Sequence, residues 1–321
     1  MKTIFVTGAE GFTGTHLVTH LTRRGYTVVG GVRNRARKLA FERRGGKAIV
    51  CDVSDAINVA RAVASVKPDG IVHLACMARP GDANAEPLAA YQSIVSGCAN
   101  LLDAVRRCVP RAKVLLVSAC DVYGNAGSDG HPIPETTPVQ PVSTFGSLKA
   151  TAESVAQTFF FNYHLNITIA RPFHYTGPGQ SERFFFPAVV REVLDFDPAI
   201  GGPALRLPDL DCRRDLMHIH DAIDAYMCLL EEGRPNETYN IATGRCWTVR
   251  QIVERIIRAS GKSIQLEPLE CDSEGQIHTL CGDFGKMQRE FDWQPMLGME
   301  RAVEDLVTAM KAERQSSPTH S

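Results

Sequence analysis

The sequence predicts an α/β protein, a doubly wound parallel sheet carrying a smaller α/β lobe. Three observations lead there. Short β-branched runs alternate through the first half with longer stretches of helix-compatible apolar spacing. The runs are almost continuously apolar, as in Val114-Leu115-Leu116-Val117, which fits strands buried on both faces of a parallel sheet. A glycine-spaced turn, Thr7-Gly8-Ala9-Glu10-Gly11-Phe12-Thr13-Gly14, joins the first run to the first helical stretch.

Taken in order, strands are expected at residues 3–7, 27–32, 48–51, 70–75, 113–118 and 166–170, with helices at 12–24, 54–66, 88–108 and 143–163. After about residue 171 the pattern loosens, and prolines at 172, 178, 187, 198, 203 and 208 punctuate it. Thr248-Val249-Arg250-Gln251 has the form of a capping box, Thr at the cap and Gln three residues on, and opens a helix to about residue 260. A last helix is expected at 299–312, then a disordered polar tail, 313–321. The organisation is a main domain over 1–171 with a returning segment at about 212–243. A smaller lobe over about 172–211 and 244–312 packs on it, with a ligand cleft between them.

The chain has 321 residues, with 35 Lys and Arg against 36 Asp and Glu, a formal net charge of −1, and 44% hydrophobic residues. That balance fits a soluble globular protein and argues against nucleic-acid binding, which calls for a basic excess. No apolar run approaches the roughly 20 residues that cross a bilayer, so no membrane association is expected. Residues 1–8 read as a strand and not as a signal peptide. The 10 cysteines form no Cys-x-x-Cys pair, so zinc-ribbon and thioredoxin readings lose their support. A reducing cytoplasm is the expected setting.

In the turn, Gly8, Gly11 and Gly14 permit a tight bend and close backbone approach to a pyrophosphate, whose charge the helix opening at Phe12 stabilises. A plain strand–helix turn is the bland alternative. Its terminal position, its flanks and the strand that follows favour a Rossmann-type dinucleotide site. The second strand runs into Arg33, with Arg35 and Arg37 nearby. An acidic residue there would serve the ribose of NAD, whereas arginine suits the 2′-phosphate of NADP. NADP(H) is therefore favoured, with NAD(H) the alternative and a solvated basic loop the bland reading. Asp52 and Val53 close the third strand, where the carboxylate can accept from the adenine amino group or cap the next helix.

Further motifs add to the glycines: His73-Leu74-Ala75, Val122-Tyr123-Gly124, Lys149, Arg171-Pro172-Phe173-His174-Tyr175-Thr176-Gly177-Pro178-Gly179 and Arg213-Arg214-Asp215-Leu216. Together they resemble the extended short-chain dehydrogenase/reductase family that acts on nucleotide sugars, over nearly the whole length. In order and loop lengths the chain is most similar to the GDP-4-keto-6-deoxymannose (GDP-6-deoxy-D-mannose) reductases, with UDP-sugar epimerases and 4,6-dehydratases as cousins. The resemblance implies that Leu74 and Ala75 line the coenzyme's ribose and phosphates, that Lys149 hydrogen-bonds the nicotinamide ribose, and that Pro172 touches the nicotinamide end. It places a nucleotide sugar in the second lobe with Arg214 near its diphosphate or ribose. It also implies a homodimer built on the helices at 88–108 and 143–163.

The chain departs from that family where the chemistry lies. The family's Tyr, four residues before the Lys, moves a proton while hydride passes to or from the nicotinamide. Here it is Phe145, which has nothing to ionise. The helper Ser/Thr is Ala119, the expected Asn is Ile94, and the late Arg that grips the diphosphate is Cys271. A missing acid–base group typically costs about 10²–10⁴ in rate.

Three explanations stand. In the first, the chemistry has moved: Asp121 abstracts a proton and Cys120 donates one, at the positions that carry base and acid in the dehydratase cousins. His174, where the family has Asn, is a further proton donor in that reading. The bland alternatives are packing for Cys120, a turn for Asp121 and a backbone hydrogen bond for His174. In the second, Phe145 and Ala119 are inactivating substitutions. In the third, the fold binds NADP and a ligand without turnover.

His218-Ile219-His220-Asp221 alternates ligand types, but nothing nearby completes a site, so no metal is expected. By resemblance Asp221 caps the helix that follows. Phe185 or Phe186 either stacks on a nucleobase or packs. The leading reading is a cytoplasmic, NADP(H)-dependent nucleotide-sugar oxidoreductase. A dehydratase or epimerase using Cys120 and Asp121 is the enzymatic alternative, and a silent NADP-binding regulator the other.

Overall fold

Seven parallel strands carry the molecule in a computed structural model that describes residues 2–197, 199, 204–269 and 277–316. Numbered along the chain they are β1 (Thr3–Thr7), β2 (Thr27–Val32), β3 (Ala48–Val50), β4 (Gly70–His73), β5 (Lys113–Val117), β6 (Ile167–Pro172) and β10 (Thr238–Ile241), in the order β10-β6-β5-β4-β1-β2-β3. The order reverses between β1 and β4, the switch point at which such sheets bind ligands at the carboxyl ends of their strands. Thr7 pairs level with Gly31 on one side and His73 on the other, so the loops after β1, β2 and β4 emerge together.

Alternation along β5 shows how the sheet is buried. Leu115 and Val117 join Ile4, Val6 and the helix Ile219–Glu232 on one face. Val114 and Leu116 join Phe5, Ile71 and the helices Gly97–Cys108 and Thr144–Tyr163 on the other. Local signals start these helices: the Ser143 hydroxyl accepts from the Gly146 N–H, and the Asp55 carboxylate accepts from the Ile57 and Asn58 N–H groups.

The one helix expected over 88–108 is broken into Pro87–Tyr91, a π turn at Gln92–Ser96 and Gly97–Cys108. Ile94 sits in that π turn, a feature that recurs at functional sites. Arg35 and Arg37 do not lie in a loop. They open the helix Arg35–Arg43, which the Asn34 side chain caps by accepting the Arg37 N–H.

In the second lobe, β9 (Arg213–His218) pairs with β7 (His174–Thr176), β11 (Cys246–Thr248) and β13 (Thr279–Leu280), while β8 (Ala204–Leu207) pairs with β12 (Gln265–Pro268). A separate core of Phe186, Val190, Leu207, Ile252, Val253 and Leu306 lies beneath the helices Phe185–Asp195, Val249–Ser260 and Gly298–Ser316. The expected capping box is present, Thr248 and Gln251 each bonding the other's backbone. The last helix runs to Ser316, past its expected end at 312, because Arg314 reaches Asp195 at 2.7 Å and ties down the final turn. The remaining residues of the expected tail, and Cys271, lie outside the described residues. The helix Ile219–Glu232 is capped by His218, whose Nδ1 accepts the His220 N–H. Asp221, expected as the cap, instead accepts the Met296 and Leu297 N–H groups.

Candidate active site

The glycine turn is shaped by what a side chain would hit. Gly8 has φ +69° and stands so close to the loop after β4 that a Cβ would lie 3.0 Å from both Ala75 N and Cα. A Cβ on Gly14 would lie 2.2 Å from Gly8 O. The helix Phe12–Arg23 starts at Gly11 with no side-chain cap, so its first N–H groups are not claimed by a capping side chain. A chain of hydrogen bonds holds the two loops together: Ala75 N–H donates to Thr7 Oγ1 at 3.2 Å, and the Thr7 hydroxyl meets His73 Nδ1 at 2.8 Å. Burial, and secondarily the charge of Lys149, drop the His73 pKa to about 3, so the ring that meets Thr7 is neutral. Phe12 stacks on Tyr175, whose hydroxyl meets Thr13 Oγ1 at 2.9 Å, so the turn is also anchored to β7. This cradle, closed to side chains and floored by backbone N–H groups, fits a dinucleotide pyrophosphate.

Arg33 leaves β2 with a side chain 79% exposed, its Nε 3.8 Å from Asp52 Oδ2. Asp52 Oδ1 accepts from the Ser54 N–H and hydroxyl, and the helix cap that it was an alternative for is Asp55. Val53 turns inward against Gly97, and its carbonyl accepts from Asn100 Nδ2. Leu74 and Ala75 border Gly8, and Pro172 ends β6 opposite Ile241.

Lys149 is buried and donates to Val117 O at 2.9 Å. It lines a small pocket with Ala75, Cys76, Ile94 and Ser118. The three departures meet here: Ile94, Ala119 and Phe145 belong to one buried apolar cluster.

The structure brings Cys120, Asp121 and His174 within the field of Arg214. Cys120 and Asp121 share a short 3-10 turn, Cys120–Tyr123, and the thiol donates to Asp121 Oδ2 at 3.9 Å. Burial, then the neighbouring Asp121 charge, raise the Cys120 thiol well above its usual range, so it stays protonated. Burial raises the Asp121 carboxyl, although Arg214 and Lys149 both pull it back. Burial, aided by Arg214, lowers the His174 pKa to about 3, so it carries no spare proton at neutral pH and offers a neutral ring. Arg214 is held by three main-chain carbonyls, those of Arg213, Ile277 and His278. Its charge, more than any free N–H, is what it lends the site. Phe185 is exposed and sets its ring edge-on to Phe186, which packs into the lobe core. Among the described residues no group of His, Cys, Asp and Glu could hold a metal ion.

Sequence reasoning missed Ser118. Ser118 lines the Lys149 cavity with its hydroxyl buried and, among the described residues, unpartnered. Its signal was adjacency to Ala119.

A parallel sheet reversing at a glycine turn, with a buried lysine on the helix beside β5, is the arrangement of an extended short-chain dehydrogenase/reductase. The chain belongs to the family described as GDP-mannose 4,6 dehydratase, whose model matches residues 5–306. It is 24% identical to the GDP-6-deoxy-D-mannose reductase of Pseudomonas aeruginosa, over 75% of this chain and 80% of that one. The structure of RMD from Pseudomonas aeruginosa complexed with NADPH superposes with a TM-score of 0.84 and 22% identity, covering 98% of this chain and 100% of that one. The dTDP-glucose 4,6-dehydratase of Bacillus anthracis in complex with NAD gives a TM-score of 0.84 and 25% identity, covering 98% of each chain.

Proposed function

We propose that the chain is an NAD(P)(H)-dependent nucleotide-sugar oxidoreductase that reduces a 4-keto hexose carried on a nucleoside diphosphate, with Asp121 supplying the proton that a tyrosine supplies elsewhere. The glycine cradle and Leu74-Ala75 would hold the coenzyme, Lys149 its nicotinamide ribose, and Arg33 the 2′-phosphate of NADP(H). The bound coenzyme supplies the hydride to the sugar ketone. The carrying observation is the placement of Asp121: a carboxyl on the turn Cys120–Tyr123 that accepts from the Cys120 thiol at 3.9 Å, is raised by burial, and lies in the fields of both Lys149 and Arg214. A carboxyl so placed holds a proton nearer neutral pH than an exposed one and gives it to a developing alkoxide. The Cys120 thiol then donates a hydrogen bond to the carboxylate that remains. Arg214 favours the negative diphosphate of the substrate electrostatically.

A second reading is supported by the same turn. With Asp121 ionised as base and Cys120 as acid, the pair would act on the carbon next to the ketone, as in a dehydratase or epimerase. Incubating the protein with NADPH and GDP-4-keto-6-deoxymannose, and separately with oxidised coenzyme and GDP-mannose, distinguishes them. Reduction consumes reduced coenzyme one for one with the sugar. Dehydration or epimerisation of a sugar nucleotide leaves the coenzyme unchanged overall. Binding without either marks a regulatory protein.

The resemblance also supports a homodimer on the helices Gly97–Cys108 and Thr144–Tyr163, where Phe161 and Tyr163 stay exposed. The cysteines described are free thiols, which suits a reducing cytoplasm. Among the described residues no helix is long and apolar enough to cross a membrane.

A further inference from the structure

The helix Arg35–Arg43 packs on β2 and β3, the last two strands at one edge of the main sheet, and buries no residue fully. Lys38 and Phe41 are its half-buried side chains, and the Phe41 ring lies against Gly30 and Gly46. At 3.6 residues per turn the opposite face carries Ala36, Leu39, Ala40 and Arg43, all exposed, Leu39 at 46%. Arg35 flanks this stripe on one side and Arg37 on the other, and exposed Arg44 and Lys47 follow the helix.

Residues 33–47 hold seven Lys or Arg and one Glu, in a chain whose net charge is −1. Glu42 pairs with Lys38 at 3.7 Å, and Arg33 Nε lies 3.8 Å from Asp52. Arg35, Arg37, Arg43, Arg44 and Lys47 have no ion pair among the described residues. Helix stability explains only part of this set. Arg43 and Arg44 suit the C-terminal end of the dipole, but Arg35 and Arg37 stand in the first turn, where cations oppose it and no acidic residue compensates. A bound coenzyme also explains only part, because Arg43 stands about 12 Å along the helix from Arg35, farther than one phosphate reaches.

Cations on both flanks of an apolar stripe match an extended anionic surface with an apolar layer beneath it. A nucleic acid would offer the charge, but the one aromatic ring of the helix, Phe41, is turned inward and leaves no base a platform. We propose that the helix Arg35–Arg43, with Arg44 and Lys47, docks the protein on the surface of an anionic lipid bilayer, Leu39 entering the headgroup layer and the guanidinium groups meeting lipid phosphates. The expectation of no membrane association rested on spanning length, which a peripheral contact does not need. The stripe is short, so charge carries most of the attraction and salt weakens it.

Flotation of the full chain with vesicles of phosphatidylglycerol and phosphatidylcholine, against phosphatidylcholine alone, tests the contact. The wild type is expected to bind the anionic vesicles at least about tenfold better, and to be released at about 0.5 M salt. The pair Arg43→Gln and Arg44→Gln is expected to weaken binding by about tenfold or more, and Leu39→Gln by about threefold. The charge-keeping pair Arg43→Lys and Arg44→Lys should bind like wild type. All three positions are exposed, and an unchanged melting midpoint identifies each variant as folded. Equal binding to both kinds of vesicle, binding to neither, or full binding by the glutamine pair overturns the proposal. Binding that Leu39→Gln leaves unchanged overturns it too, and retention of the wild type by polyuridylic acid would then mark the face as a nucleic-acid surface.

Discussion

The Lys149 ammonium stands 5.7 Å from the centre of the Phe145 ring and donates to Val117 O, not to a side chain. The ring belongs to the apolar cluster that also holds Ile94 and Ala119. Three positions where the family resemblance expects polar groups are thus buried in one apolar cluster, and a hydroxyl placed in it would be desolvated.

Restoring the family pattern with Phe145→Tyr and Ala119→Thr is therefore expected to leave turnover unchanged or lower. It should also destabilise the protein by about 1–3 kcal/mol. Initial rates and a urea melt check both. A tenfold or greater rise in turnover would mean that the tyrosine relay was simply missing and that Asp121 is not its substitute.

A buried ion pair fixes the sheet behind the site. Arg171 on β6 meets Glu153 on the helix Thr144–Tyr163 at 2.6 Å and donates to the Tyr123 hydroxyl, which in turn donates to Asn240 Oδ1. Glu153→Gln leaves the guanidinium without its counter-charge and is expected to cost about 3–5 kcal/mol in urea unfolding. A loss under about 1 kcal/mol would show that the network is not needed to hold β6 to that helix.

His73 and His174 give a sign to acid stability. Each has a folded pKa of about 3 against about 6.5 when unfolded, so between those values the unfolded chain binds the extra protons. Stability is expected to be flat above about pH 6.5 and to fall below it, by up to about 1.4 kcal/mol per pH unit for each histidine. His174→Gln should flatten that slope in a pH series of urea melts. An unchanged slope would show that His174 does not stay neutral.

Much of the main sheet was legible in the sequence because its determinants are local. Val114 to Val117 read as a two-sided strand, Thr248 as a cap, and Gly8 to Gly14 as a crossover turn. The second lobe was not: β7, β11 and β13 are two- or three-residue strands that exist only through pairing with β9, and no periodicity announces so short a segment. The break at Gln92–Ser96 escaped because a π turn keeps helical composition while shifting register. At the site, the family resemblance pointed to Cys120, Asp121 and Lys149. The neutral state of His174 depends on burial beside Arg214, which is not written in local sequence.

Gly14 offers a test of the cradle itself. A Cβ there would press on Gly8 O and on the Ala9 backbone, at 2.2 and 2.7 Å, and neither can move without opening the turn. Gly14→Ala is expected to weaken coenzyme binding by at least about tenfold, measured by calorimetry. Wild-type affinity in that variant would separate the turn from the coenzyme.

The central claim is that the Asp121 carboxyl replaces a tyrosine as proton source, and a single-turnover experiment reaches it most directly. Enzyme preloaded with NADPH is mixed with a 4-keto nucleotide sugar, and the loss of reduced nicotinamide is followed for wild type and Asp121→Asn. The variant keeps the shape but cannot ionise, so its reduction rate is expected to fall by about 10²–10⁴ with coenzyme affinity retained. A rate within about threefold of wild type would contradict the account.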